Sequence, residues 1–220
     1  MKTWPKRIVP QQILEDLRAW RQLDRQARRI YFHYRLGGCP QRASQIPGDT
    51  TDILFVCHGN IMRSAFAAAL LRERLQEAGV SLRVQSAGVH ACGGKSADPR
   101  CIEAAAKVKL NLSAHHAQPL TPELVDASSV IITMDYLNYA EVAARYPHAT
   151  QKVFMMAGEH DKPVEITDPY DRDPDDARRC FALLTKRVES LAAMLTHGAS
   201  RKSQIPNLTR PQSTAAPRSV

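Results

Sequence analysis

The chain has 220 residues, 44% of them apolar and 24% charged, with a formal net charge of +8. That length holds one medium α/β domain with extensions, or two very small domains. No apolar stretch approaches the ~20 residues of a membrane span and residues 1–10 lack the apolar core of a signal peptide, so a cytoplasmic protein is expected.

Charge is distributed unevenly. Residues 1–49 carry ten Lys/Arg against four Asp/Glu and residues 198–220 four against none, so the middle of the chain is slightly acidic. The basic balance therefore belongs to the extensions and says nothing about the substrate of the central domain. From Ile13 onward, apolar residues recur at 13, 17, 20, 23, 27, 30 and 34, with Arg18, Arg21, Arg25, Arg28 and Arg29 between them. This spacing predicts one basic amphipathic helix of about five or six turns, ended by Gly37-Gly38-Cys39-Pro40 and followed by a polar linker. Residues 10–36 are accordingly read as a contact to a membrane surface or a protein partner, with packing on the chain's own domain as the alternative. Nucleic-acid binding is not expected, because the positive charge sits on one short helix and a loose tail rather than on a recognisable module.

Residues 50–197 alternate between strand and helix patterns. Strands are predicted at 53–57, 82–86, 129–134 and 152–156. Helices are predicted at 64–79, from Asp98-Pro99 to about 109, at 136–146 before Pro147, and from Pro174 onward, where Phe181, Leu184, Val188, Leu191 and Leu195 keep helical spacing. A βαβα order implies a four-stranded parallel sheet with helices on both faces. Residues 198–220, rich in Ser, Pro and Thr, are expected to be a disordered basic tail.

Chemistry concentrates in Cys57-His58-Gly59-Asn60-Ile61-Met62-Arg63-Ser64. A buried strand precedes it and a helix follows, so a thiol and a guanidinium face each other across the turn. Backbone N–H groups and the helix N-terminus then form a concave anion site. Such a site binds a phosphate-like dianion and favours the thiolate of a cysteine at its centre. Asp168-Pro169-Tyr170 is the second element: in isolation an Asp before Pro reads as a turn residue, but an Asp on a loop overhanging the thiolate would supply the proton that phosphomonoester cleavage needs, and Tyr170 would stack on an aromatic leaving group. The anion site consists of backbone and Arg63, so no metal and no other cofactor is expected. The adjacent His115 and His116 diverge and have no third ligand at suitable spacing. The five cysteines are scattered and contain no CxxC pair, which argues against a disulfide framework and a zinc site.

These segments resemble the low-molecular-weight protein tyrosine phosphatase family. Residues 56–64 are similar to its phosphate loop and Asp168-Pro169-Tyr170 to its general-acid loop. Ser86-Ala87-Gly88, Ala97-Asp98-Pro99-Arg100, Leu112-Ser113-Ala114-His115 and Thr133-Met134-Asp135-Tyr136-Leu137-Asn138 follow the family's order, and the likeness covers about residues 51–196. The resemblance implies a protein-tyrosine phosphatase working through a phosphocysteine on Cys57. Arg63 and the backbone of residues 58–64 would bind the phosphoryl group, and Asp168 would act as general acid and base. Ser64 would donate to the sulfur, Asn60 would brace the loop, and His115 would bond that Asn or else be a loop histidine. Asp135 is otherwise read as a helix N-cap. The implied partner is a tyrosine-phosphorylated protein, and the loop Val89-His90-Ala91-Cys92-Gly93-Gly94 without Trp or Tyr, with Asp171 after Tyr170, is closer to bacterial members that act beside tyrosine autokinases of exopolysaccharide export.

The departures from the family pattern are specific. Met62 stands where a second loop cysteine is frequent, and Gln118 where Arg is common. Ala65 and Ala68 replace a frequent Pro and a frequent acidic residue. Cys92 in the rim is read as a loop filler rather than a redox partner of Cys57. A thioredoxin-coupled arsenate reductase is rejected, because residues 134–147 carry no cysteine. A phosphotyrosine-binding scaffold is the non-enzyme alternative, disfavoured because Cys57, Arg63 and Asp168 are all present.

Overall fold

The computed structural model describes residues 11–158, 160 and 162–203; the first ten residues and most of the tail predicted to be disordered lie outside them. Four parallel strands, β1 (Asp52–Cys57), β2 (Arg83–Gly88), β3 (Val130–Thr133) and β4 (Val153–Met155), form one sheet in the order β2-β1-β3-β4. The four-stranded parallel sheet expected from the sequence is therefore present. Successive strand residues point to opposite faces, and this divides the core. Ile53, Phe55 and Cys57 of β1, Ile132 of β3 and Phe154 of β4 pack under α3 (Arg63–Glu77), α4 (Pro99–Lys107) and α7 (Pro174–Ser203). Leu54, Val56, Ile131, Val153 and Met155 pack under α5 (Pro122–Ala127) and α6 (Tyr136–Arg145). Strands covered on both sides by helices are apolar throughout, which is why 53–56 and 130–132 read as continuous apolar runs.

Three segments differ from the sequence-based expectation. The single N-terminal helix is two, α1 (Gln11–Gln22) and α2 (Arg25–Arg35). Asp24 between them is extended and its side chain accepts from Ala27 N at 2.8 Å, because an aspartate gains more as an N-cap than inside a helix. The break lets Leu23, Ala27 and Tyr31 bury against Ala140 of α6, while Ile13, Leu14, Leu17 and Trp20 of α1 remain exposed. Helix α5 was not predicted; it is one and a half turns long, too short for periodicity, although Thr121-Pro122 marks its start by capping Leu124 N. Helix α7 runs to Ser203, beyond the expected tail boundary, since Gly198 does not stop it. The linker also carries structure: Gln41 O accepts from Met155 N and Arg42 bridges Met155, so it extends the sheet edge beyond β4.

Candidate active site

Residues 58–62 connect the carboxyl end of β1 to the first turn of α3. This position lies beside the point where the strand order reverses, between β1 and β3, and crevices form there in open α/β sheets. The loop's carbonyls are bonded outward. Cys57 O accepts from Val89 N at 2.9 Å, His58 O from His90 N at 2.8 Å and Ile61 O from Asp98 N at 2.9 Å. Asn60 O accepts from His115 Nε2 at 2.7 Å; a carbonyl only accepts, so this bond places the ring proton on Nε2. Across a trans peptide the C=O and the next N–H point to opposite sides. The N–H groups of His58, Gly59, Ile61 and Met62 therefore face the concave side of the loop. Helix α3 adds to them, because Met62 at its cap position supplies no side-chain acceptor and the first helical N–H groups remain for an anion.

Cys57 Sγ lies at the base of this cup, buried. It is 3.0 Å from Ser64 Oγ and 3.3 Å from Asn60 N, which donates to it. Asn60 holds φ 53°, a left-handed conformation that Asn tolerates better than most residues. Its side chain fixes that turn from both ends, Nδ2 donating to Ser64 Oγ at 2.9 Å and Oδ1 accepting from Gln118 N at 2.8 Å. Since Ser64 Oγ already accepts from Asn60, its own proton is directed to the sulfur or to Ala87 O at 3.3 Å. Below the loop, Gly88 pairs with Cys57 in the sheet. A Cβ there would meet Asn60 N and His58 O at 2.8 Å, so only glycine lets the loop sit this close.

Arg63 is buried beneath the cup and held by two carboxylates. Its Nη1 donates to Asp135 Oδ2 at 2.6 Å and to Ile166 O at 2.9 Å, and its Nη2 donates to Asp168 Oδ2. Burial alone would lower the guanidinium pKa, but Asp168 and Asp135 outweigh it and hold it above the ordinary value. Nε–H and the second Nη2–H remain for a ligand in the cup, as a planar fork. Asp135 has two tasks: Oδ1 caps α6 through Asn138 N at 2.7 Å, and Oδ2 holds Arg63. The N-cap reading was correct but incomplete.

Asp168 sits on the loop after β4, its carboxylate partly exposed at the cup's mouth and accepting from Tyr170 N. Sequence reasoning gave no role to Arg100, yet Arg100 sets this loop. Its guanidinium donates to Pro169 O, Tyr170 O and Arg172 O at 2.9–3.3 Å and is itself fixed by Asp98. The hydrogen bond from Arg100 is also the chief reason that the Asp98 carboxyl lies below its usual pKa. Three carbonyls of one loop facing one cation carry no sequence pattern; the only signal is an Arg directly after the capping Asp98-Pro99.

The cup opens into a cleft of about 400 Å³ lined by Ile61, His58, His90, Tyr170 and Leu137 among others. Tyr170 is half exposed, with Lys95 Nζ 5.3 Å from its ring centre. Arg18, Gln22 and Tyr31 of the N-terminal extension line the same cleft. Cys92 also lines it and is exposed, whereas Cys101 and Cys180 are buried. Burial raises both buried thiols, Cys180 to about 12, which leaves them protonated and unreactive. His116 accompanies Gly94 O and His115 serves Asn60 O, so that pair is committed to backbone.

The model of the family described as "Low molecular weight phosphotyrosine protein phosphatase" matches residues 52–201. The probable low molecular weight protein-tyrosine-phosphatase EpsP of Ralstonia solanacearum is 39% identical over 138 residues, 63% of this chain and 91% of that protein. Among solved structures, the tyrosine phosphatase Wzb from Escherichia coli K30 in complex with sulphate aligns with a TM-score of 0.61 at 29% identity, over 66% of this chain and 99% of that one. A cysteine-to-serine mutant of the YwlE arginine phosphatase, with a phosphorylated active site serine, aligns with a TM-score of 0.62 at 28% identity, over 66% and 95%.

Proposed function

The chain belongs to the low molecular weight phosphotyrosine protein phosphatase family, and on that premise we propose that it hydrolyses phosphotyrosine in proteins through a phosphocysteine on Cys57. The observation that carries this reading is the convergence of Cys57 Sγ, the cup of N–H groups, the buried Arg63 and the overhanging Asp168. The sulfur attacks phosphorus and the P–O ester bond breaks as the P–S bond forms. Arg63 and the loop N–H groups stabilise the equatorial oxygens as charge shifts. A dianion in the cup competes with Asp168 for Arg63; the released carboxylate takes up a proton from solvent, faces the ester oxygen and passes that proton to it. Water then attacks phosphorus, Asp168 takes its proton, the P–S bond breaks and inorganic phosphate leaves.

Phosphoarginine is the second reading, favoured by the likeness to YwlE. The mouth of this cup argues against it. Ile61, His58 and Tyr170 offer apolar and aromatic surface to a phenyl ring, whereas a charged guanidinium requires carboxylate partners, and among the cleft's carboxylates Asp135, Glu141 and Glu165 are held by Arg63, His90 and Arg35. A peptide carrying phosphotyrosine should be turned over at least ~10²-fold faster in kcat/KM than the same peptide carrying phosphoarginine. In Asp168→Ala, kcat should fall by about 10²-fold or more on the phosphotyrosine peptide and by less on p-nitrophenyl phosphate, whose leaving group needs little protonation. A preference for phosphoarginine, or equal losses on both esters, would overturn the corresponding part of this reading.

The proposed physiological substrate is a bacterial tyrosine autokinase of exopolysaccharide export, on the likeness to EpsP and Wzb. Arg18 at the cleft margin suits an acidic residue beside the phosphotyrosine. Among the described residues no helix is long and apolar enough to cross a membrane. Helix α1 presents Ile13, Leu14, Leu17 and Trp20 to solvent with Arg18 and Arg21 on the same short helix, and we assign it to an anionic membrane surface. The full-length protein should co-sediment with vesicles containing phosphatidylserine and not with neutral ones, and Trp20→Ser with Leu17→Ser should abolish the effect. Equal binding by the double variant would remove the assignment.

A further inference from the structure

Three side chains from separate elements meet at the rim of the cup: His58 of the phosphate loop, His90 of the loop after β2, and Glu141 of α6. Their ligand atoms all lie within 4.8 Å of one another. His90 Nε2 is 2.5 Å from Glu141 Oε1, and the two imidazole rings are 4.7 Å apart at 34°. We propose that this cluster is a binding site for a zinc-class divalent cation, and that the bound ion closes the mouth of the active-site cup.

The geometry supports a metal in several ways. Two imidazoles and one carboxylate are the donor set that borderline ions such as Zn²⁺ take, whereas Mg²⁺ and Ca²⁺ prefer oxygen alone. Ligands of a tetrahedral zinc ion stand roughly 3.3 Å apart, given bonds of about 2.0–2.1 Å. One observed separation is 2.5 Å and none exceeds 4.8 Å, so all three ligand atoms lie within reach of one ion. The closure needed is small and falls on exposed rings, since His58 is exposed and the His90 side chain is 45% exposed. The backbone behind them is fixed. Val89 N and His90 N donate to Cys57 O and His58 O, which locks one imidazole-bearing segment against the other. Arg145, one turn after Glu141, donates to Val89 O at 3.1 Å and ties the rim to α6. An ion entering between His90 and Glu141 replaces the hydrogen they share, so acid weakens its binding.

The position explains the consequence. His58 directly follows Cys57 in the loop, and the cluster lies on the wall of the cleft through which a phosphoryl group reaches the sulfur. The proposed phosphotyrosine hydrolysis uses Cys57, the loop N–H groups, Arg63 and Asp168 and has no step for this ion. Occupancy therefore inhibits rather than activates, and the expectation of no metal is revised for the rim alone.

Zinc can also bind the thiolate of Cys57 directly, and the experiment separates the two sites. Zn²⁺ binding to full-length protein is measured by calorimetry in a Cys57→Ser background, where the thiolate is gone and no turnover is needed. One ion per chain is expected, with affinity lowered about tenfold or more by Glu141→Gln and by His90→Gln, and no heat from Mg²⁺. Circular dichroism in zinc-free buffer reports whether each variant is folded; the rim substitution at His90 is the backup if α6 does not tolerate the other. In protein with Cys57 intact, inhibition of p-nitrophenyl phosphate turnover by zinc should be reversed by a chelator and require about tenfold more zinc in His90→Gln. Loss of zinc binding in Cys57→Ser, or undiminished binding in both rim variants, would overturn the proposal. Absence of turnover with zinc binding intact would count against the phosphatase reading and leave the rim site standing.

Discussion

Cys57→Ser is expected to lower phosphate release from a phosphotyrosine peptide by about 10⁴-fold or more while the protein stays folded and still binds its substrate. Serine is nearly the shape of cysteine, so the strand end, the contact with Ser64 and the donation from Asn60 N remain possible. On the covalent route proposed for Cys57, what is lost is the nucleophile. A hydroxyl is far harder to ionise than a thiol and gains too little from the same donors to compensate. The loop N–H groups and Arg63 remain, so affinity for a phosphopeptide should change by only a few-fold. The residual rate need not be zero, since a serine hydroxyl would sit at the base of the same cup, where Cys57 Sγ lies beside Ser64 and Asn60 N. Mass spectrometry of the variant after long incubation should show a slowly formed phosphoryl adduct. The same variant should capture its phosphorylated partner from the native cell. Capture of no tyrosine-phosphorylated protein would remove the autokinase assignment, and full activity in Cys57→Ser would falsify the covalent route.

The parts of the site that were readable in the sequence are those built within a few residues. Cys57, Asn60, Arg63 and Ser64 lie on one strand–turn–helix unit, whose apolar run, Gly-containing turn and helix fix their relative positions. The same locality made the sheet legible, because strands buried on both faces are apolar without interruption. Three features resisted reading, for related reasons. Asp135 carries a complete local explanation as the N-cap of α6, which hides its contact with Arg63 across 72 positions. Asp24 reads as one polar residue within a periodic pattern, yet it ends α1, because the depth at which Leu23, Ala27 and Tyr31 bury is set by α6 and not by the helix itself. The rim cluster joins positions 58, 90 and 141, whose only common cause is the stacking of three elements around one cleft. In each case the local pattern was satisfied and the decisive partner came from tertiary packing.

Substitution of Arg63 separates structure from chemistry at this site. Arg63→Ala should destabilise the protein by about 3–5 kcal/mol, because it leaves the mostly buried Asp135 without its cation, and should reduce turnover by at least ~10³-fold. Taken alone, the activity loss is ambiguous, since a loosened loop also loses activity. Arg63→Lys resolves this. An ammonium restores the positive charge opposite Asp135 and Asp168, so a large part of the lost stability should return. It does not restore the planar fork: one point donor cannot hold Asp135, Ile166 O and two phosphoryl oxygens at once. Turnover should therefore stay down by about 10²-fold or more while Tm recovers, with the loss mainly in kcat, because the fork matters most as charge spreads over the equatorial oxygens. Thermal melts and kcat on one set of preparations test this directly. Near-normal turnover in Arg63→Lys would reduce Arg63 to a structural cation, while parallel loss of stability and activity in both variants would show that its work is to hold the acid loop and not the phosphoryl group. The arrangement argues for the first outcome, because two of its five N–H groups are bound to Asp135 and Ile166, one more to a carboxylate that a dianion can displace, and the remaining edge faces the cup.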